Sequence, residues 1–563
     1  LTAPFFKSDE RWPALRLLFA VTMLTLVIVG TAVLFTYWQR GLFNALEAKD
    51  WNAFLALLLT WDRDADGVLT IGFVPLLAVF VGAMVYRLYL QQRLQLRWRA
   101  WMTTQFLDRY LTHQAYYRLT LDADAADNPD QRISEDVNWF TEKSLELSVG
   151  LFENIVSVIS FIILLWALSA NVEFWGVSVP GSLVWIALIY ALFGTALTHF
   201  IGRRLVPLSF DQQKLEADFR LSLIRLREHA ESIAFYRAET REAGRTGRVF
   251  SGLLSNFAKI IDVTKRVTFS VTGLNQANLV FPLIIAAPAY FAGRIPLGGV
   301  FQTANALNKV VESLSWFIEN YIKLADYSAT IERLEGFNLD LSRNEATPHK
   351  VVFSTSRAPI MVACHDLSVF TPSGRVLLDE VDLSLGQKEW LLLTGHSGSG
   401  KTSLLRTISG LWPYATGTVE LTGSKVVFMP QRSYFPDDSL KAVLSYPDKD
   451  TAFDTAEMVE VLDALNLSNL NNSLEEVQPW MKVLSGGELQ RLAIARVILQ
   501  KPALLFCDEV TSHLDSDSEA LAYSLMKERL QETSVISIGH RESIAHHHSR
   551  RINLSKSKIH ERL

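Results

Sequence analysis

Five uncharged apolar stretches of transmembrane length constrain this chain more than any other feature. They are Leu17 to Trp38, Val68 to Tyr86, Asn154 to Val172, about Phe174 to His199, and Val267 to Gly293. An α-helix needs about 20 apolar residues to cross the hydrocarbon of a bilayer. Each stretch therefore reads as a membrane span. A sixth, from about Ile295 to Lys323, starts apolar but carries Lys309, Glu312 and Glu319. The first stretch is too long for the apolar region of a signal peptide, and no small-residue cleavage signal follows it. Asn52 to Trp61 is apolar over only ten residues and reads as an interfacial segment.

Basic residues in the connections set the orientation. Gly202 to Ser270 holds thirteen Lys and Arg, and Gln91 to Val149 holds seven. Ser169 to Gly181 holds none, and Arg294 stands alone between the fifth and sixth spans. The two basic loops are therefore expected in the cytoplasm, with both chain ends on that side and six spans in total. Both loops are rich in Leu, Arg, Glu and Gln with few breakers, so the spans are expected to continue as helices beyond the membrane.

Composition says that this is only part of the molecule. At 563 residues the chain has room for several domains, and its 20% charged residues are too many for membrane helices alone. Mean hydropathy of +0.16 is the average of two unlike halves. A net charge of −5 argues against general nucleic-acid binding, which needs a basic balance. Cys364 and Cys507 are too few for a disulfide scaffold and have no metal-ligand partner at finger spacing. The expected division is a membrane domain over residues 1–337, a polar linker over 338–357 and a soluble domain over 358–563.

In the soluble part, the short apolar run Trp390 to Thr394 leads into Gly395-His396-Ser397-Gly398-Ser399-Gly400-Lys401-Thr402, followed by a helix-forming stretch that begins with Ser403. Strand, glycine-rich loop and helix come in the order that phosphate binding requires. Glycines let backbone N–H groups curl around phosphates, and the helix N-terminus adds partial positive charge. Lys401 would reach the phosphates and the Thr402 hydroxyl would ligate Mg²⁺. A second apolar run, Ala503 to Cys507, delivers Asp508 and Glu509 at its end. There Asp508 suits the metal, and Glu509 suits a general base acting on water. Between them, Leu484-Ser485-Gly486-Gly487-Glu488-Leu489-Gln490-Arg491 reads by itself as a helix start with a capping box.

The three motifs in this order resemble the ATPase domain of ABC transporters, with Walker A at 395–402, the signature at 484–488 and Walker B ending at Asp508. The resemblance implies ATP and Mg²⁺ as cofactors. It implies that Ser485, Gly486, Gly487 and Glu488 join the nucleotide site, that Gln431 is the glutamine sensing Mg²⁺, and that His540 contacts the γ-phosphate. It also implies that Asp515 is the D-loop aspartate and that Phe370 stacks on adenine. His513 departs from the pattern, which usually has Ala there, and Asp437-Asp438-Ser439 stands where a Gly-Thr is usual. In the family the phosphate loop of one domain faces the signature of another, so a chain with one copy is expected to form a homodimer.

The order of membrane half and ATPase half resembles a half-transporter of the exporter-type fold, an all-α six-helix domain followed by an α/β P-loop domain. Asp127-Asn128-Pro129-Asp130-Gln131-Arg132-Ile133-Ser134-Glu135-Asp136 and Glu231-Ser232-Ile233-Ala234-Phe235-Tyr236-Arg237 resemble motifs of subfamily D and its BacA/SbmA-like and YddA-like bacterial relatives. Both are expected to be coupling elements that dock on the ATPase domains. No organellar targeting segment is recognisable, so the expected location is a bacterial inner membrane, embedded in lipid.

For cargo, the sixth span gives the best physical clue. Gln302, Asn305, Lys309, Glu312, Trp316, Glu319 and Lys323 recur at three- and four-residue steps and share a helix face. Charges at membrane depth cost about 2.5–3.5 kcal/mol each on insertion scales, so this face should meet protein or water. Asn275 and Asn278 of the fifth span add to it. Either these groups pair with one another, Lys309 with Glu312 for instance, or they line a polar cavity. A cavity suits hydrophilic cargo such as peptides or cobalamin-like compounds, with import as the BacA-like resemblance implies. Subfamily D implies fatty acid or acyl-CoA instead. A regulatory ATPase, or a proton-driven transporter with a vestigial nucleotide domain, is the remaining class.

Overall fold

The computed structural model describes residues 1–59, 61–63, 69–121, 128–170, 180–346, 350–355, 359–422, 424–554 and 559–560. These group into two compact units, Leu1–Arg109 with Ala126–Asp340, and Tyr110–Ala125 with Leu341–Leu563.

The first unit is helical. Its long elements are α1 (Arg11–Ala48), α2 (Trp51–Leu59), α3 (Phe73–Leu111), α4 (Val137–Ser169), α5 (Ser182–Gly202), α6 (Leu205–Glu228), α7 (Glu239–Phe291), α8 (Leu297–Glu319) and α9 (Tyr321–Ala346). Among the described residues, five helical stretches are long and apolar enough to cross a membrane, and each overlaps one of the five runs named above. Residues 171–179 lie outside the described part, so the fourth run is seen as helix only from Ser182. The sixth run is helical too, but Lys309 and Glu312 lower its hydropathy. The expected interfacial segment is α2, held against α1 by the Trp38 indole N–H donating to the Leu57 carbonyl at 2.8 Å.

Large apolar side chains such as Met84, Val85, Ile163, Ile189 and Leu192 point outward, as a hydrocarbon solvent allows. The hydroxyls of Thr25 and Ser169 donate to carbonyls one turn back, at 2.9 and 2.8 Å, which satisfies them without water. The core of this unit joins Phe161 and Leu165 of α4, Ala187 of α5, Ile285 of α7 and Leu307 and Val310 of α8. Small residues permit close approach at the start of α8. The Asn44 side chain accepts from the Gly298 N–H and Glu47 from the Leu297 N–H, both at 2.9 Å. A Cβ on Gly298 would lie 2.0 Å from the Arg40 carbonyl oxygen. Gly298→Ala is therefore expected to destabilise the unit by about 2 kcal/mol, read as a lower unfolding temperature of the protein in lipid.

The second unit is α/β. A five-stranded parallel sheet has β4 (Trp390–Thr394), β6 (Val426–Met429), β7 (Leu504–Asp508), β8 (Ser534–Ile538) and β9 (Arg550–Asn553), in the spatial order β9-β4-β8-β7-β6. All residues of β4, β7 and β8 are buried, which explains their unbroken apolar runs. A second sheet contains β1 (Val351–Thr355), β2 (Ile360–Phe370), β3 (Val376–Gly386), β5 (Ala415–Leu421) and β10 (Ile559–His560), ordered β10-β3-β2-β5-β1.

The polar segment expected as a linker over 338–357 is structured through most of its described length. Helix α9 continues to Ala346, and β1 pairs in parallel with β5. Polar residues suit the exposed face of a helix as well as a linker, and the first strong breaker is Pro348. The membrane domain expected over 1–337 also gives up Tyr110–Ala125, which groups with the second unit. There Leu121 packs on the soluble core, and Arg118 Nη1 donates to the Asn344 carbonyl.

Candidate functional site

The phosphate loop sits where β4 meets α10 (Lys401–Ile408). Gly398 and Gly400 have φ of +79° and +90°, a region that side chains with a Cβ seldom adopt. The buried Lys401 Nζ donates to the carbonyls of Gly395 and His396, both at 2.8 Å, and so lies across the loop. Burial pushes its ammonium below the usual lysine range, with the Glu509 and Asp508 charges pulling the other way. Ser397, Ser399 and Ser403 belong to the same turn and helix start. The Thr402 hydroxyl donates to Asp508 Oδ1 at 3.1 Å. Burial pushes the Asp508 carboxyl above its ordinary range; the Thr402 hydrogen bond pulls it down, and the Glu509 charge pushes it up.

Glu509 follows at the end of β7 with φ of +49°. Its carboxylate is held from two sides. Gln431 Nε2 donates to Oε2 at 3.0 Å, and His540 Nε2 lies 3.1 Å from Oε1. Residues expected to sense the metal and the γ-phosphate thus converge on the expected base. They come from the ends of three neighbouring parallel strands, β6, β7 and β8. Phe370 ends β2, half-buried, with its carbonyl accepting from the Trp412 indole at 2.9 Å.

The signature heads α11 (Gly486–Gln500), where Ser485 caps the helix and Glu488 completes the capping box. The Ser485 backbone N–H, then its hydroxyl, hold the Glu488 carboxyl below its usual range. Among the described residues no hydrogen bond joins Ser485–Glu488 to the phosphate loop. Asp515 caps α12 (Ser516–Arg529), accepting from the Ser518 N–H at 2.8 Å.

Motif reading passes over a supporting group. Glu519, 2% exposed, accepts from Thr511 Oγ1 at 2.8 Å, Ser543 Oγ at 2.6 Å and Arg541 Nη1 at 3.2 Å. It ties the turn after Glu509 to the loop that carries His540, and the only hint in the sequence is Arg541 beside His540. Glu519→Ala is expected to cost about 2 kcal/mol of stability, measured by thermal unfolding, because buried donors lose their acceptor.

In the first unit, a cavity of about 680 Å³ is lined by Asn305, Lys309, Glu312 and Trp316 of α8 and by Glu146 and Glu153 of α4, among others. Lys309 Nζ and Glu312 Oε2 are 2.8 Å apart, so pairing and cavity lining occur together. Glu153 pairs with Arg87, Glu146 with Lys143 and Lys323, and Asn305 with Gln39. Gln302 departs from the expectation. It is fully enclosed, because α8 packs there against α1, α4, α5 and α7, and among the described residues neither side-chain polar atom finds a hydrogen-bond partner. Asn278 is half-buried and is not among the lining residues of this cavity. The side chains of Asn275 and Glu319, and all of Asp127, lie outside the described part.

Comparison with known proteins finds a membrane part followed by an ATPase part. The family model for ABC transporter transmembrane region 2 matches residues 1–291, and the ABC transporter model matches 378–512. The chain is 30% identical to ABC transporter D family member 2, chloroplastic, of Arabidopsis thaliana, over 99% of this chain and 85% of that one. It is 29% identical to the inner membrane ABC transporter ATP-binding protein YddA of Escherichia coli, over 97% and 94%. A solved bacterial Atm1-family ABC exporter with ATP bound superposes with a TM-score of 0.72 at 16% identity, over 98% and 95% of the two chains.

Proposed function

Because this chain belongs to the ABC transporters, as a half-transporter of the subfamily D and YddA-like type that hydrolyses ATP to drive transport, we propose that two copies form a homodimer importing bulky hydrophilic solutes. Peptides or cobalamin-like compounds are the cargo class, and a bacterial inner membrane is the location. The observation that carries this reading is the cavity wall of Asn305, Lys309, Glu312, Glu146 and Glu153. Each of its charges has an opposite partner, Lys309 with Glu312, Glu146 with Lys143 and Lys323, and Glu153 with Arg87, so the wall presents both signs to a polar cargo.

In the nucleotide site, Lys401 and the loop N–H groups would bind phosphates, and Thr402, Asp508 and Gln431 would hold Mg²⁺. The residues fit that ion, since a buried carboxylate with raised proton affinity next to a hydroxyl is a hard oxygen site. When bound, the ion neutralises charge on the phosphate oxygens. Glu509 takes the proton from water as general base, and Gln431 and His540 aim its carboxylate. Phe370 stacks on adenine. Ser485, Gly486, Gly487, Glu488 and Asp515 serve the site of the second copy, so ATP closes the two ATPase domains and hydrolysis reopens them. Phe235 and Tyr236, exposed at the end of the short helix Ala230–Tyr236 between α6 and α7, are the coupling contact.

The apolar remainder of the cavity wall, with Ile28, Phe35, Phe80 and Phe161, favours a second reading, an acyl chain or acyl-CoA. Protein in lipid vesicles decides between the two. ATP-dependent accumulation of labelled peptide or cobalamin supports the first, and accumulation of acyl-CoA alone replaces it with the second. A vestigial ATPase domain is disfavoured by the convergence of Gln431 and His540 on Glu509.

A further inference from the structure

His513 is the residue of the D-loop that departs from the family pattern, and the nucleotide chemistry leaves it unused. It lies four residues beyond Glu509 in a turn closed by the Ser512 N–H donating to the Glu509 carbonyl at 3.1 Å. Its contacts lead to the signature helix. The His513 N–H donates to Gln490 Oε1 at 2.9 Å, while Gln490 Nε2 lies 3.0 Å from His513 Nδ1 and 3.1 Å from Ser512 Oγ. A backbone N–H can only donate, which fixes Oε1 as the amide end facing the main chain. The Nε2 end then carries two protons, and both find acceptors, one on the Ser512 hydroxyl and one on the imidazole. Nδ1 is therefore the acceptor in this pair.

The ring also covers the signature turn. A Cβ on Gly486 would lie 3.5 Å from His513 Cδ2, and one on Gly487 would lie 3.5 Å from the His513 carbonyl oxygen. Gln490 is 7% exposed, so the amide that makes the double contact is itself fixed by packing. His513 and Gln490 form one wall of a groove of about 270 Å³ whose lining also includes Gln431 and Gly486. An Ala at 513 would keep the backbone bond but leave one buried amide proton without its ring acceptor.

We propose that His513 is a positioning residue for ATP hydrolysis. Its Nδ1 clips the turn behind Glu509 to the first turns of the signature helix, so that base and signature move as one body. The general base must be held within a few tenths of an ångström of its working place. A clip that spans both elements therefore acts on turnover and leaves the affinity of the phosphate loop alone.

The test uses the full chain in lipid vesicles with MgATP. His513→Ala lowers kcat about three- to tenfold, with KM for ATP within about twofold of the parent, the size expected for one hydrogen bond to a buried amide. His513→Asn restores most of kcat, because its side-chain oxygen can sit where Nδ1 does. His513→Gln does not, because its amide lies one carbon further out. In a Gln490→Leu background the step from His513 to Ala costs nothing more, since the partner is already gone. Parental kcat in His513→Ala, a loss confined to KM, Asn no better than Ala or Gln, or additive losses with Gln490→Leu would each overturn the proposal.

Discussion

Glu509→Gln is expected to lower ATP turnover by about 10²–10⁴-fold while ATP still binds. The carboxylate accepts from Gln431 and faces His540, so it is placed by two side chains and its backbone is held at φ of +49°. An amide of the same shape keeps the packing and loses the capacity to take a proton. Lys401, Thr402 and Asp508 remain, so nucleotide affinity is retained. Phosphate release and binding of labelled ATP, measured on the same preparation, separate the two effects. Turnover equal to the parent's would remove Glu509 from the role of base.

Asp136→Ala is expected to destabilise the first unit by about 3 kcal/mol. Asp136 is 5% exposed and closes a three-member ion cluster. Arg333 grips it with two bonds, Nη2 to Oδ1 at 2.8 Å and Nε to Oδ2 at 3.0 Å, and Arg132 Nη1 adds a third at 2.6 Å. Removing the carboxylate leaves Arg132, whose side chain is 12% exposed, as a buried charge without its counter-ion. Arg333 is 41% exposed and regains water, which keeps the cost at the lower end of the range for buried pairs. Thermal unfolding in lipid measures it. The triple replacement Arg132→Met, Asp136→Leu, Arg333→Met is expected to recover most of the loss, because a well-packed apolar set carries no desolvation cost. If Asp136→Ala unfolds with the parent, the cluster is not a stabilising element.

The cluster also shows where sequence reading stops. The Asp127–Asp136 stretch is legible as a motif, and its expected role is docking on the ATPase domain. Its last residue turns inward to an arginine 197 positions away. No periodicity or local spacing encodes that pairing. The sixth span tells a similar story. Its polar face is readable at helical spacing, yet Gln302 is enclosed where the helix is surrounded and Asn305, Lys309 and Glu312 line a cavity where it is not. Both placements obey the same 3.6-residue period, so only the neighbours decide.

What the sequence determined by itself was whatever is written in contiguous residues. Apolar runs must become helices, because a bilayer leaves the backbone no other partner than itself. Gly398 and Gly400 with Lys401 and Thr402 must become a phosphate loop, because each acts on its near neighbours. Tertiary structure decided what depends on contacts between distant segments. It brought Gln431 and His540 to Glu509 from adjacent strands, gave His513 its partner in the signature helix, and took Tyr110–Ala125 into the second unit. Those contacts follow from packing free energy summed over the whole fold, and no short window of residues contains that sum.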